Sequence, residues 1–180
     1  MLQEIYIDLM EMTSVSARGF KYVITIIDSA TGKGVFEPSK NKKADSILAA
    51  LIMRWIYEYG CPIKIRSDKG SEFIDELNRL AYAIYGVQFQ TGSAYSSQSQ
   101  GIVERAIGTI RQVLLKHSEA EPENWDLSLL EVQFQYNTTT HGWRGLTPYE
   151  LLFVRRVNYP LELTQELILK DVVDSGSSKA

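Results

Sequence analysis

A single cysteine, Cys61, is all the thiol in this chain of 180 residues. One thiol cannot close an internal disulfide, which suits a reducing compartment. It also excludes any zinc site that draws two or more cysteines from these residues. Long apolar runs are absent: nothing approaches the roughly 20 residues a membrane span needs, and the first residues lack the pattern of a secretory leader. There are no repeats, and the only low-complexity stretch is the polar end DSGSSKA (174–180), expected to be disordered. A basic excess is missing as well, since 19 Lys and Arg face 22 Asp and Glu for a net charge of −3. Nucleic-acid binding needs a basic footprint, so this balance predicts weak DNA affinity for the domain alone.

What is there reads as one soluble domain with a sizeable core, 44 % hydrophobic and 23 % charged. Residues 4–10 (EIYIDLM) alternate, with Ile5, Ile7 and Leu9 on one face and Tyr6, Asp8 and Met10 on the other, the period of a strand. Residues 20–28 (FKYVITIID) are aromatic and β-branched and predict a second strand, with a third over 34–37. Ile47, Leu48, Leu51, Ile52, Trp55 and Tyr59 then mark an amphipathic helix stopped by Gly60 and Pro62. Further strands are expected at 63–67 and 87–91, with a helix over 71–85 between them. The small polar stretch GSAYSSQS (92–99) reads as a mobile loop. A long helix is expected from Gly101, another from about Asn124 to Asn137, and a short one over 148–153. The order implies an α/β fold: a mixed sheet of five strands with helices on both faces.

Three acids stand where such sheets build sites. Asp8 lies inside an apolar strand, Asp68 follows a strand in SDKGSEF (67–73), and Glu104 falls in the first turn of the long helix, in YSSQSQGIVER (95–105). Phosphodiester cleavage and transfer need positive charge at both the attacking and the leaving oxygen. Magnesium prefers oxygen ligands, and three carboxylates can hold two ions. The acids are then ligands first, no histidine base is needed, and His117 and His141 can be left out. The 35-residue gap between Asp68 and Glu104 carries no information by itself, because Asp126 and Glu162 share the same interval. The sequence around the acids is the signal.

Those surroundings resemble retroviral and Gypsy-type retrotransposon integrases. YIDLM resembles the family's first catalytic Asp strand, SDKGSEF the motif around the second Asp, and YSSQSQGIVER its Tyr-rich loop, Gln-Ser-Gln-Gly turn and catalytic Glu. YNTTTHGWRGLTPYELLF (136–153) is similar to the C-terminal signature of retrotransposon integrases, and the likeness spans about residues 4–155. The resemblance implies an RNase H-like fold for a catalytic core over 1–155. Beyond it lie a C-terminal extension, 156–173, for which helix is one reading, and the tail 174–180.

The resemblance further implies Mg2+ or Mn2+, two ions when DNA is bound, held by Asp8, Asp68 and Glu104. It implies DNA 3′-end processing and strand transfer, with retroelement ends and target DNA as partners. A homodimer, a host chromatin tether and work in the nucleus belong to the same expectation. Tyr95 and Gln100 would touch the donor end. Arg111, seven residues after Glu104 and so on the same helical face, and Arg105 would meet its backbone. Lys69 stands where the family usually has Asn and would compete for Asp68 or bind a phosphate. Ile107 and Gly108 also depart from the family pattern. These departures motivate a second reading, a domesticated, non-catalytic protein-interaction or chromatin module; a plain RNase H-like nuclease is a third. The integrase core's zinc-binding and DNA-binding companions are not expected among these residues.

Other polar and aromatic residues take structural expectations. Asp28 reads as a turn acid ending a strand, Trp55, Trp125 and Trp143 as core or dimer-interface residues, and Cys61 as a buried small side chain. The helix from Trp125 to Tyr136 is the expected dimer surface.

Overall fold

The computed structural model describes residues 2–67, 78–79, 88–91, 97–120, 122–141 and 145–159; for 88–91, 97–102, 117, 118 and 120 it describes the backbone alone. Five strands form one sheet: β1 (Glu4–Glu11), β2 (Tyr22–Asp28), β3 (Gly34–Ser39), β4 (Lys64–Ser67) and β5 (Gln88–Thr91), in the order β3-β2-β1-β4-β5. The first three run antiparallel in chain order, whereas β1, β4 and β5 are parallel. The register sets Asp8 opposite Thr25, and Thr25 opposite Phe36. An ion pair between Arg66 of β4 and Glu4 of β1 reinforces their pairing.

Alternation along β1 sends side chains to two separate cores. Ile5, Ile7 and Leu9 join Ile24, Ile26, Val35 and Ile65 beneath α1 (Ala44–Leu51), which contributes Ala44, Ile47, Leu48 and Leu51. Met10 and Met12 join Val23, Ile27 and Phe36 on the opposite face, under α3 (Ser97–Ala120) and α4 (Leu129–Thr138). Helices therefore cover both faces.

The helix after β3 is not uniform. α1 passes into a π-helical segment, Ile52–Ile56, and a final turn, α2 (Tyr57–Tyr59), before Gly60 at φ 87° ends it. Trp55 sits inside the wide turn with 0 % exposure and leans on Tyr59 at 5.1 Å between ring centroids. Cys61 follows Gly60 and is exposed, not buried: the chain has already left the helix and is crossing the surface toward β4.

Two boundaries differ from the expectation. α3 begins at Ser97, so residues 97–99, read as loop, are helical. Packing of Val103, Ala106, Ile110 and Leu114 on the sheet outweighs the helix weakness of Gly101 and Gly108. Conversely, α4 begins at Leu129 and not near Asn124, because 122–128 is held as a turn against the β1–β2 connection. Asp126 pairs with Arg18 at 2.6 Å, Trp125 Nε1 donates to the Ser14 carbonyl at 3.2 Å, and the Ala17 N–H donates to the Glu123 carbonyl at 2.8 Å. These long-range bonds leave the 122–128 backbone no reason to coil.

The outer edge of β3 meets α4 side on. The Asn137 carboxamide accepts from the Gly34 N–H at 2.8 Å and donates to the Gly34 carbonyl at 2.7 Å, and Gln133 Oε1 accepts from the Phe36 N–H at 2.8 Å. Tyr136 lies over Gly34, where a Cβ would come within 2.8 Å of its ring, and its hydroxyl donates to the Gly32 carbonyl at 3.0 Å. Finally, α5 (Pro148–Phe153) starts with a capping box. The Thr147 side chain accepts from the Glu150 N–H, Glu150 reaches back to the Thr147 N–H, and Pro148 occupies the first turn. The expected TPYE segment is thus a helix start built from its own residues. Most of the expected helix 71–85, Trp143 and everything beyond 159 lie outside the described residues.

Candidate active site

Asp8 is central to the sheet. It stands on β1, which is flanked by β2 and β4, and is only 7 % exposed. By alternation its side chain shares the face of Tyr6 and Met10, beneath α3 and α4. A carboxylate is costly to bury in such a strand, which sets Asp8 apart from the apolar side chains around it.

Beside it, β4 runs parallel to β1 and ends at Ser67, which is 2 % exposed. Asp68 follows directly but lies outside the described residues, as do Lys69 and Tyr95. Gln100 is within α3, although its side chain is not described.

Glu104 is exposed on α3, and its neighbour Val103 is buried in the core that α3 shares with Met10 and Met12. Because α3 packs against β1, the elements that carry Asp8 and Glu104 are neighbours. Glu104 is in the third turn, not the first, since α3 starts seven residues earlier at Ser97. Its charge is therefore too far along the helix to serve as compensation for the N-terminal dipole, which acts within the first turn. Arg105 and Arg111 are both exposed on the same helix, and Gly108 between them has open space around it. Among the described residues no group of three His, Cys, Asp or Glu converges within metal-holding reach.

Asp28 is the turn acid expected. Its carboxylate accepts from the Leu2 N–H at 2.8 Å, the Thr31 N–H at 2.8 Å and the Thr31 hydroxyl at 2.7 Å, which closes the β2–β3 turn and ties down the chain start. Trp55 and Trp125 are core residues at 0 % and 1 % exposure and offer no stacking platform. Asn137 carries no signal in the sequence beyond the Tyr-Asn pair; it is buried and serves the sheet edge.

The site's setting can be compared with known proteins. No family model matches the chain. It is 32 % identical to the Gag-Pol polyprotein of feline leukemia virus over 136 residues, 75 % of this chain and 8 % of that protein. It is 29 % identical to the Gag-Pol polyprotein of avian reticuloendotheliosis virus over 147 residues, 82 % of this chain and 13 % of that protein. Among solved structures, the catalytic core domain of BIV integrase matches with a TM-score of 0.65 at 22 % identity, covering 86 % of this chain and 95 % of that one. The chain is a retroviral integrase-like domain. The magnesium complex of the HTLV-2 integrase catalytic core in its dimeric form matches this integrase-like domain with a TM-score of 0.61 at 19 % identity, over 82 % and 94 % of the two chains. A simian T-cell lymphotropic virus intasome in complex with PP2A regulatory subunit B56 gamma gives 0.68 at 18 % identity, over 88 % of this chain and 56 % of that one. These likenesses support an RNase H-like fold for the integrase-like domain, which spans only a small part of the polyproteins it matches.

Proposed function

We propose that this domain is the catalytic core of a retroelement integrase, which trims a DNA 3′ end and joins it to target DNA. The observation that carries the reading is the buried carboxylate of Asp8 on a central strand, against which the helix bearing Glu104 packs. Asp8, Asp68 and Glu104 would hold Mg2+ or Mn2+, two ions once DNA is bound. The donor set fits hard cations, being carboxylate oxygen throughout. Bound there, the ions would neutralise charge on the attacking and leaving oxygens and acidify a water.

The chain's own residues hold and orient. In end processing, water displaces the terminal nucleotides and leaves a free 3′-hydroxyl. In joining, that hydroxyl attacks a target phosphodiester in line; one P–O bond forms as another breaks, the attacking oxygen gives its proton to solvent, and the leaving 3′ oxygen takes one from solvent. Arg105 and Arg111, exposed on the helix of Glu104, would meet donor phosphates, with Lys69, Tyr95 and Gln100 completing the DNA contacts. The outward face of α4, where Leu130 is 63 % and Phe134 36 % exposed, supports the homodimer of this reading. Nuclear localisation and a chromatin tether belong to it as well.

The test uses a branched DNA that mimics the joined product, with Mg2+ or Mn2+. Metal-dependent resolution of the branch is expected from the natural chain and not from Asp68→Asn or Asp8→Asn. Equal resolution by all three proteins would remove the catalytic assignment. A folded natural chain that binds metal without resolving the branch would favour a non-catalytic interaction module.

A further inference from the structure

The register carries a second group of residues to the end of the sheet toward which β1 and β4 run. Glu11 pairs with Tyr22 and Tyr22 with Ser39, so the loop that leaves β3 emerges there. That loop reads Lys40-Asn41-Lys42-Lys43. All three lysines are exposed, and among the described residues none has a carboxylate within salt-bridge reach. The other cations at this end are committed: Lys21 to Glu11 at 3.7 Å, Arg18 to Asp126 at 2.6 Å and Arg54 to Glu37 at 3.0 Å. Among the described residues, the unpaired positive charge at this end of the sheet is therefore carried by three lysines within four positions, 40–43.

The loop is also shaped. Asn41 Oδ1 accepts from the Lys43 N–H and from the Ser46 hydroxyl, both at 2.9 Å, and the Ser39 hydroxyl donates to the Asn41 carbonyl at 2.7 Å. Lys40 Nζ lies 5.6 Å from the centre of the Phe20 ring, and Arg18 lies over the same ring at 5.6 Å. Phe20 packs against the core on the Asp8 face and also lines a cavity of about 380 Å³ on the α1 face, with Lys40, Asn41, Ser46 and Arg54 in its wall. The basic surface therefore wraps the sheet end from one face toward the other.

From Asp8 to this loop is three residues along the strands and two strands across. With strand spacings of about 4.8 Å and rises of about 3.3 Å per residue, the separation is roughly 15 Å. At about 3.4 Å per base pair that is four to five base pairs of duplex. We propose that Lys40, Lys42 and Lys43 form a phosphate-backbone contact for duplex DNA at the same end of the sheet as Asp8, flanking the reaction centre. The proposal rests on the integrase reading for its choice of DNA as the ligand. The contact is sequence-independent, because lysine ammonium groups meet phosphates as point charges and read no base edge.

The experiment measures binding of a 20-base-pair duplex by fluorescence anisotropy across a salt series, without metal, for the natural chain and for K40Q/K42Q/K43Q. Each lost phosphate contact lowers the slope of log K against log salt by about 0.9, so a drop of about 2 to 3 is expected, with binding at least tenfold weaker at low salt. An unchanged slope, or a natural chain that does not bind the duplex, overturns the proposal. Circular dichroism and the melting temperature establish that the variant is folded. The metal-dependent branch assay with Asp8→Asn fails or succeeds independently of this slope, so loss of the catalytic reading and loss of the lysine contact give different results. If the variant loses binding to heparin and to DNA in equal proportion with no change of salt slope, the loop is a general polyanion surface and the assignment to DNA falls.

Discussion

The side-chain amide of Asn137 pairs with both backbone groups of Gly34, accepting at 2.8 Å and donating at 2.7 Å, as a neighbouring strand would. A third bond, from Nδ2 to the Gln133 carbonyl at 2.8 Å, fixes the amide's orientation on α4. Asn137→Ala leaves a buried N–H and C=O without partners, and a loss of about 2–4 kcal/mol is expected from chemical denaturation. Gly34→Ala strains the adjoining contact on the same sheet edge, since its Cβ would fall 2.8 Å from the Tyr136 ring, at a cost of about 1–3 kcal/mol. The two losses should fall short of additive in the double variant. Full additivity would mean that the two changes act through separate contacts.

Lys33 supplies a pH signature. Burial in the β2–β3 turn lowers its ammonium from the ordinary 10.5 to about 8, with Glu58 opposing the shift and Arg54 adding to it. The folded state thus releases this proton before the unfolded state does. Stability from this group is present above the unfolded value and is lost as pH falls from about 10.5 to about 8. The whole effect is on the order of 3 kcal/mol. The Tyr59 hydroxyl, pushed up to about 12 chiefly by burial, opposes it only above about pH 10. Urea midpoints should therefore rise between pH 8 and 9.5 in the natural chain. Lys33→Met should be more stable at pH 7 and should lose the rise; identical slopes in the two proteins would contradict the assignment.

The start and the end of α5 predict opposite effects. Thr147→Ala removes the hydroxyl that accepts from the Glu150 N–H and should cost about 1 kcal/mol. Hydrogen bonds from Thr147 hold the Glu150 carboxyl below its usual range, so the capping box is present at neutral pH and weakens as pH falls through that lowered value. At the other end, Val154 caps the helix with φ 54° and is 88 % exposed. A β-branched residue is strained there, so Val154→Gly should stabilise by about 1 kcal/mol. A melting temperature that falls in V154G would show that the Val154 side chain makes a contact worth more than the strain.

Strands were legible because their period is local. Ile5, Ile7 and Leu9 alternate with Tyr6 and Asp8, and the register then follows from which side must be buried. The short α5 was legible for the same reason, its cap lying within four residues. Residues 122–128 were not, because what stops the helix there is a set of bonds to Ser14, Ala17 and Arg18, more than 100 positions away. The start of α3 was hidden by glycines and serines whose preferences are overridden by packing. In the candidate site, Asp8 could be found as an acid in an apolar strand. The position of Glu104 within its helix depended on where that helix begins, which composition does not reveal.

The wide turn at Ile52–Ile56 has a consequence for the length of the chain. A π turn takes in one residue more than an α turn, and each residue rotates a helix by about 100°. Side chains after Ile56 are therefore offset by one position from the frame of Ala44–Leu51, yet Gly60 still delivers the chain to β4. The segment behaves as an absorbed insertion. Deleting the exposed Met53 would leave Trp55 three positions after Leu51 instead of four, on the same buried face, so an ordinary helix should accommodate the shorter chain.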